Sequence, residues 1–97
     1  MSTSDRFAGK VAVITGGTTG IGRAIARRFV SDGGKIVIGA RHDTLFEEIT
    51  QELGADNCWC QVCDVTNRAQ VDALVQAAYD KFNGFDVMFG NARINLF

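Results

Sequence analysis

Apolar and polar positions alternate between two periods along this chain. Val11-Ala12-Val13-Ile14 is a continuous apolar run that ends in Thr15-Gly16-Gly17, the length of a strand buried on both faces. Ile21, Ala24, Ile25 and Phe29 then recur at helical spacing, with Arg23, Arg27 and Arg28 between them. This predicts an amphipathic helix from about Gly20 to Asp32, stopped by Gly33-Gly34. Ile36-Val37-Ile38 reads as a second strand, closing at Gly39-Ala40. Leu45, Phe46, Ile49 and Leu53 mark a second helix, with Thr44-x-x-Glu47 as a capping box at its start and Gly54 at its end. Cys58 to Cys63 is the third strand. Val71, Leu74, Val75, Ala78 and Phe82 form the stripe of a third helix, which Thr66 or Asn67 can cap and Asn83-Gly84 ends. Asp86-Val87-Met88-Phe89 is the fourth strand.

The order β-α-β-α-β-α-β predicts an α/β fold with a parallel sheet and helices on its faces. Right-handed crossovers and a doubly wound arrangement give strand order 3-2-1-4. The first two helices lie on one face and the third on the other. The switch point falls between strands 1 and 4, where open parallel sheets bind ligands beyond the strands' carboxyl ends.

Composition narrows the class. The 97 residues allow one domain. An apolar share of 46% against 22% charged residues excludes a disordered chain. Pro is absent and Gly reaches 11, which excludes a Pro-rich linker and suits regular elements joined by Gly turns. The formal net charge of −1 gives no overall basic surface for nucleic acid. Residues 1–41 nevertheless carry a balance of +5 and the remainder −6. A basic N-terminal half fits an anionic ligand or a solvated basic helix face. No apolar run approaches the ~20 residues of a membrane span, and the polar Met1–Phe7 segment has no signal-peptide core. Cys58, Cys60 and Cys63 are too few for a structural zinc, with only His42 as a further soft ligand. They are expected to be core residues, unbridged, in a reducing compartment, and the chain is expected in the cytoplasm.

The candidate chemistry lies in the first strand-to-helix turn. Thr15-Gly16-Gly17-Thr18-Thr19-Gly20-Ile21-Gly22 has the form Gly-x-x-x-Gly-x-Gly. Gly16 permits a tight turn off the strand. Gly20 removes a side chain where a pyrophosphate would approach, and Gly22 lets the helix pack close to the sheet. The helix N-terminus then offers free N–H groups and its positive dipole end to an anion. The hydroxyls of Thr18 and Thr19 add donors.

On these residues the sequence resembles the short-chain dehydrogenase/reductase family. Thr15-Gly16-x-x-x-Gly20-Ile21-Gly22 is similar to its cofactor motif. Asp64-Val65, after the third strand, resembles a second motif, whose Asp side chain and following backbone contact the adenine ring. Asp86-Val87-Met88-Phe89-Gly90-Asn91-Ala92-Arg93 resembles a third, usually ending Asn-Asn-Ala-Gly. The resemblance implies a Rossmann-like dinucleotide-binding fold. Its site would comprise Gly16, Thr18, Thr19, Gly20, Ile21, Gly22, Asp64, Val65, Asn91 and Ala92. Gly90 and Arg93 depart from the third motif, the first where an Asn ties the central strands together and the second where the backbone runs close to the cofactor.

The cofactor follows from the end of the second strand. NAD sites place an acid there for the ribose 2′-OH. Here Gly39-Ala40 is followed by Arg41, which suits a 2′-phosphate. NADP(H) is therefore expected over NAD(H), with Arg41 as its selector. The family's catalytic Ser, and its Tyr and Lys four residues apart, would lie beyond position 97. The single Tyr79 has the wrong Lys spacing and is expected to pack on a helix surface.

The reading is the cofactor-binding N-terminal portion of an alcohol/carbonyl oxidoreductase, inactive alone, with a small alcohol or ketone substrate only in a full-length relative. The alternative is a non-catalytic nucleotide-binding or interaction module pairing with a longer homologue. Its partner surface would be strand 4, expected as an exposed apolar edge open to self-association.

Overall fold

The computed structural model describes residues 5–16, 20–90 and 93–95. The elements run β1 (Val11–Thr15), α1 (Gly20–Ser31), β2 (Lys35–Ala40), α2 (Phe46–Leu53), β3 (Cys58–Val62), α3 (Arg68–Phe82), β4 (Val87–Gly90) and β5 (Arg93–Asn95). Their sheet order is β3-β2-β1-β4-β5. The first four strands are parallel, so the 3-2-1-4 doubly wound arrangement is present. Among the described residues, no helix is long and apolar enough to cross a membrane.

β1 is central and buried along its whole length. Its side chains alternate between two cores, as successive residues of a strand must. Ala12 and Ile14 join Ala26, Phe29, Ile36, Ile38, Ile49, Leu53 and Cys58 beneath α1 and α2. Val11 and Val13 join Val37, Cys63, Leu74, Ala77, Ala78 and Met88 beneath α3. The entry of β4 is fastened to the start of β1 twice. The Val11 N–H donates to the Asp86 carboxylate at 2.8 Å, and the Asp86 N–H donates to the Val11 carbonyl at 2.8 Å.

Helix ends follow local chemistry. The Asn67 side chain accepts the Gln70 N–H at 3.1 Å and caps α3. Asn83 ends that helix in the left-handed conformation, with φ 61°. The capping box expected at Thr44 does not form: Leu45 is the N-cap residue of α2 and makes no side-chain cap. Thr44 instead sits inside a turn closed by the Phe46 N–H on the Asp43 carbonyl at 3.1 Å. Glu47 and Glu48 in the first turn still favour the positive end of α2.

The outer edge of β4 also differs from expectation. Antiparallel β5 pairs with it, matching Met88 with Asn95, Phe89 with Ile94 and Gly90 with Arg93. The edge of strand 4, expected to be exposed, is therefore covered by β5. Only two residues separate β4 from β5, a spacing that suits an antiparallel hairpin and is far too short for a parallel crossover.

Much of the basic surface of α1 is matched by acidic α2. Arg23 bridges Glu48 at 2.7 Å and Glu52 at 2.8 Å, and Arg27 pairs with Glu52. Arg28 pairs with the buried Asp32 at 3.0 Å. The charge asymmetry of the sequence is thus partly a helix–helix contact, with Glu52 held below its ordinary carboxylate range by Arg27 and Arg23.

Leu74 is fully buried and seats α3 on the sheet. Leu74→Ala is expected to cost about 2–5 kcal/mol. In a domain whose whole stability is on the order of 5–15 kcal/mol, urea unfolding will show a large fall in midpoint.

Candidate functional site

The carboxyl ends of β1, β2 and β3 open into one cleft of about 480 Å³, lined by Gly16, Gly39, Ala40, Arg41, Cys63 and Val65. That volume lies within the range of small-molecule sites, about 300–1,000 Å³. Its lip is set by backbone. The Gly16 N–H donates to the Gly39 carbonyl at 2.7 Å, so the exits of β1 and β2 are joined beyond their regular ladder.

Gly16 has φ 74° and Gly20 has φ 58°, both in the left-handed region that glycine adopts without strain. A Cβ on Gly20 would meet nothing within 4 Å, which leaves open space where an approaching ligand needs it. Gly22 is buried where α1 packs on the sheet, and Ile21 is exposed. Gly39 is required by close approach. A Cβ there would lie 2.6 Å from Leu74 Cδ2 and 3.1 Å from Cys63 Cβ. A side chain at the end of β2 would have to displace the buried Leu74 side chain of α3 and press on Cys63.

The charged groups sit at the rim. Arg41 is exposed immediately after β2. Asp64, after β3, is half-buried. Its carboxylate accepts from the Thr66 hydroxyl at 2.7 Å and the Thr66 N–H at 2.9 Å. These two bonds, with the attraction of Arg41, hold Asp64 below the ordinary carboxylate range. Such a lowered acid stabilises the fold above its unfolded value, and that contribution is lost as pH falls through the lowered one. The Asp64 N–H donates to Gln70 Oε1 at 2.7 Å, which ties the loop to the first turn of α3. Burial, with the nearby Asp64 charge, pushes the Cys63 thiol up, so this cleft residue stays protonated at neutral pH.

The structure thus brings Gly16, Arg41 and Val65 to one cleft, with Asp64 beside them. Gly20, Ile21 and Gly22 stand at the start of α1 and do not line it. Thr18, Thr19, Asn91 and Ala92 lie outside the described residues, as does the side chain of Arg93. Thr66 and Gln70 were not anticipated as partners of Asp64. The Asp-x-Thr spacing, which favours a turn closed on the Asp side chain, was the available signal. Tyr79 is exposed and packs edge-on against Phe85, as a surface residue. Among the described residues, no group of three or more His, Cys, Asp or Glu is arranged to hold a metal.

A doubly wound sheet with a glycine turn at its switch point defines the class of dinucleotide-binding α/β proteins. The family model described as short chain dehydrogenase matches residues 10–96, and the chain belongs to that family. It is 44% identical over 90 residues to momilactone A synthase of Oryza sativa subsp. japonica, covering 93% of this chain and 33% of that protein. It is also similar to two solved structures from Brucella melitensis. One is a short-chain dehydrogenase/reductase titled glucose/ribitol dehydrogenase, with TM-score 0.81 and 25% identity over 90% of this chain and 37% of the other. The second is 3-ketoacyl-(acyl-carrier-protein) reductase complexed with NADH, with TM-score 0.78 and 39% identity over 84% of this chain and 33% of the other. The chain therefore spans about a third of the length of the relatives it matches.

Thr66→Val removes the shortest bond to the Asp64 carboxylate. The Asp64 pKa is expected to rise toward its ordinary value of 3.8, read by carboxyl carbon-13 shifts against pH. An unchanged titration would show that Thr66 does not set the charge at this rim.

Proposed function

We propose that this chain is the NADP(H)-binding N-terminal portion of a short-chain alcohol/carbonyl oxidoreductase. The family supports a nicotinamide dinucleotide, and the relative complexed with NADH agrees with it. The observation that favours the 2′-phosphorylated form is Arg41, an exposed guanidinium lining the cleft directly after Gly39-Ala40. No carboxylate follows β2 until Asp43, which leads into α2. A guanidinium there offers charge-assisted, planar hydrogen bonds to a phosphate.

The other residues have separate roles. Gly16 and Gly20 let the backbone come close to a pyrophosphate, and the start of α1 presents its free N–H groups and dipole to it. Thr18 and Thr19 add hydroxyl donors. Asp64 and Val65 receive the adenine, with Thr66 and Gln70 fixing the Asp64 loop. Asn91 and Ala92 border the cofactor from the end of β4. When bound, the cofactor supplies hydride chemistry. These 97 residues lack the family's Ser and Tyr-x-x-x-Lys in their usual places, so by themselves they bind without turning over substrate. Small alcohols or ketones are the substrates of the whole enzyme. The three free cysteines of this chain suit a reducing compartment, and we place it in the cytoplasm.

Titration of NADPH and NADH into wild type and Arg41→Ala tests the assignment. Hydrogen bonds to charged groups contribute about 1.5–3 kcal/mol, so NADPH binding is expected to weaken about 10- to 100-fold while NADH binding stays nearly level. Equal NADPH affinity in the two proteins would overturn the role of Arg41.

A further inference from the structure

Two of the three cysteines are placed together for a reason that the cofactor cleft does not supply. Cys58 and Cys60 lie two residues apart on β3, so both side chains project from the same face, toward α2. Their cross-strand partners are Ile36 and Ile38 of the core beneath α1 and α2. The two sulfurs are 3.8 Å apart. A separate cavity of about 380 Å³ opens between α2 and β3, and its lining includes Phe46, Glu47, Thr50 and Gln51 together with both cysteines. Cys60 is half-buried and opens onto this cavity, whereas Cys58, 2% exposed, lies behind it in the core.

A disulfide does not suit this geometry. It would draw the sulfurs to about 2.05 Å and the two Cβ atoms to about 3.8 Å. Residues two apart on a strand have Cα atoms about 6.6 Å apart, at the upper limit of what a disulfide spans, so a closed bond would be strained. An ion seated between the sulfurs needs no such closure.

The donor set then selects the ion. Among the described residues, no third Cys, His or carboxylate completes a cluster here. A structural zinc, with its four ligands, is excluded. Cys60 Sγ also has polar contacts with the Thr50 hydroxyl at 3.6 Å and the Phe46 carbonyl at 4.0 Å. These are hard oxygens that compete poorly for a soft metal, whereas thiolates select Cu(I).

We propose that Cys58 and Cys60 form a two-thiolate site for a soft monovalent ion of the Cu(I) class, at the α2–β3 cavity and separate from the cofactor cleft. Binding breaks two S–H bonds and forms two S–Cu bonds, and two protons leave to solvent. No electrons are exchanged. Cys63 takes no part, because it faces the opposite core beneath α3.

The test is anaerobic titration of the 97-residue chain with Cu(I), using bicinchoninate as a coloured competitor. Wild type and Cys63→Ala are expected to withdraw one equivalent. Cys58→Ser and Cys60→Ser, checked for folding by circular dichroism, are expected to bind at least about ten-fold more weakly. A second readout needs no variant: Cu(I) should protect the half-buried Cys60 of wild type from iodoacetamide, as mapped by mass spectrometry. Withdrawal of no copper by wild type, unchanged binding in both serine variants, or undiminished labelling of Cys60 at saturating Cu(I) would each overturn the proposal.

Discussion

The two-sided burial of β1 governs this molecule. Val11, Ala12, Val13 and Ile14 are each no more than 2% exposed. A strand apolar on both faces needs cover on both, so α1 with α2 must lie on one side and α3 on the other. The crossover of α3 follows, and with it the placement of β4 beside β1 rather than beyond β3. A switch point is the geometric result. The chain leaves β1 there through Gly16, whose N–H is fastened to the end of β2. The cleft is therefore a by-product of satisfying the core, and its chemistry depends on which residues happen to follow each strand.

Electrostatics separates those residues from the rest of the surface. Arg23, Arg27 and Arg28 are engaged with Glu48, Glu52 and Asp32. The basic first half of the sequence is thus in good part the complement of α2 rather than a field for ligands. Arg41 differs in its position at the cleft, beside an Asp64 whose carboxylate accepts two hydrogen bonds from Thr66. Asp64 in turn is anchored by backbone and side-chain bonds that do not involve Arg41.

The parallel core was legible because apolar runs and glycine stops are local signals. The four buried residues of β1, the helical stripe ending at Phe82 and the Asn83 stop all appear where the periodicity places them. The misreadings share a cause, since each depends on geometry that no short pattern encodes. Thr44 has the composition of a cap, yet the turn closed by Asp43 and Phe46 moves the helix start past it. Arg93 to Asn95 carry no strong strand pattern, and only pairing with β4 makes them a strand. Within the site, the cleft positions of Gly16, Arg41 and Val65 were legible from the strand ends. The need for glycine at position 39 was not, because it comes from Leu74, 35 residues away in sequence and in contact only after α3 has crossed the sheet.

The central claim is that the strand ends, and no other surface, receive the dinucleotide. Amide chemical-shift mapping of the labelled 97-residue chain with NADPH tests it most directly. The account predicts perturbations concentrated at Gly16, Gly20, Arg41, Asp64 and Val65, with Cys58, Trp59 and Lys81 at the far end of the sheet unmoved. Perturbations confined to that far end, or none at saturating NADPH in a folded chain, would contradict it.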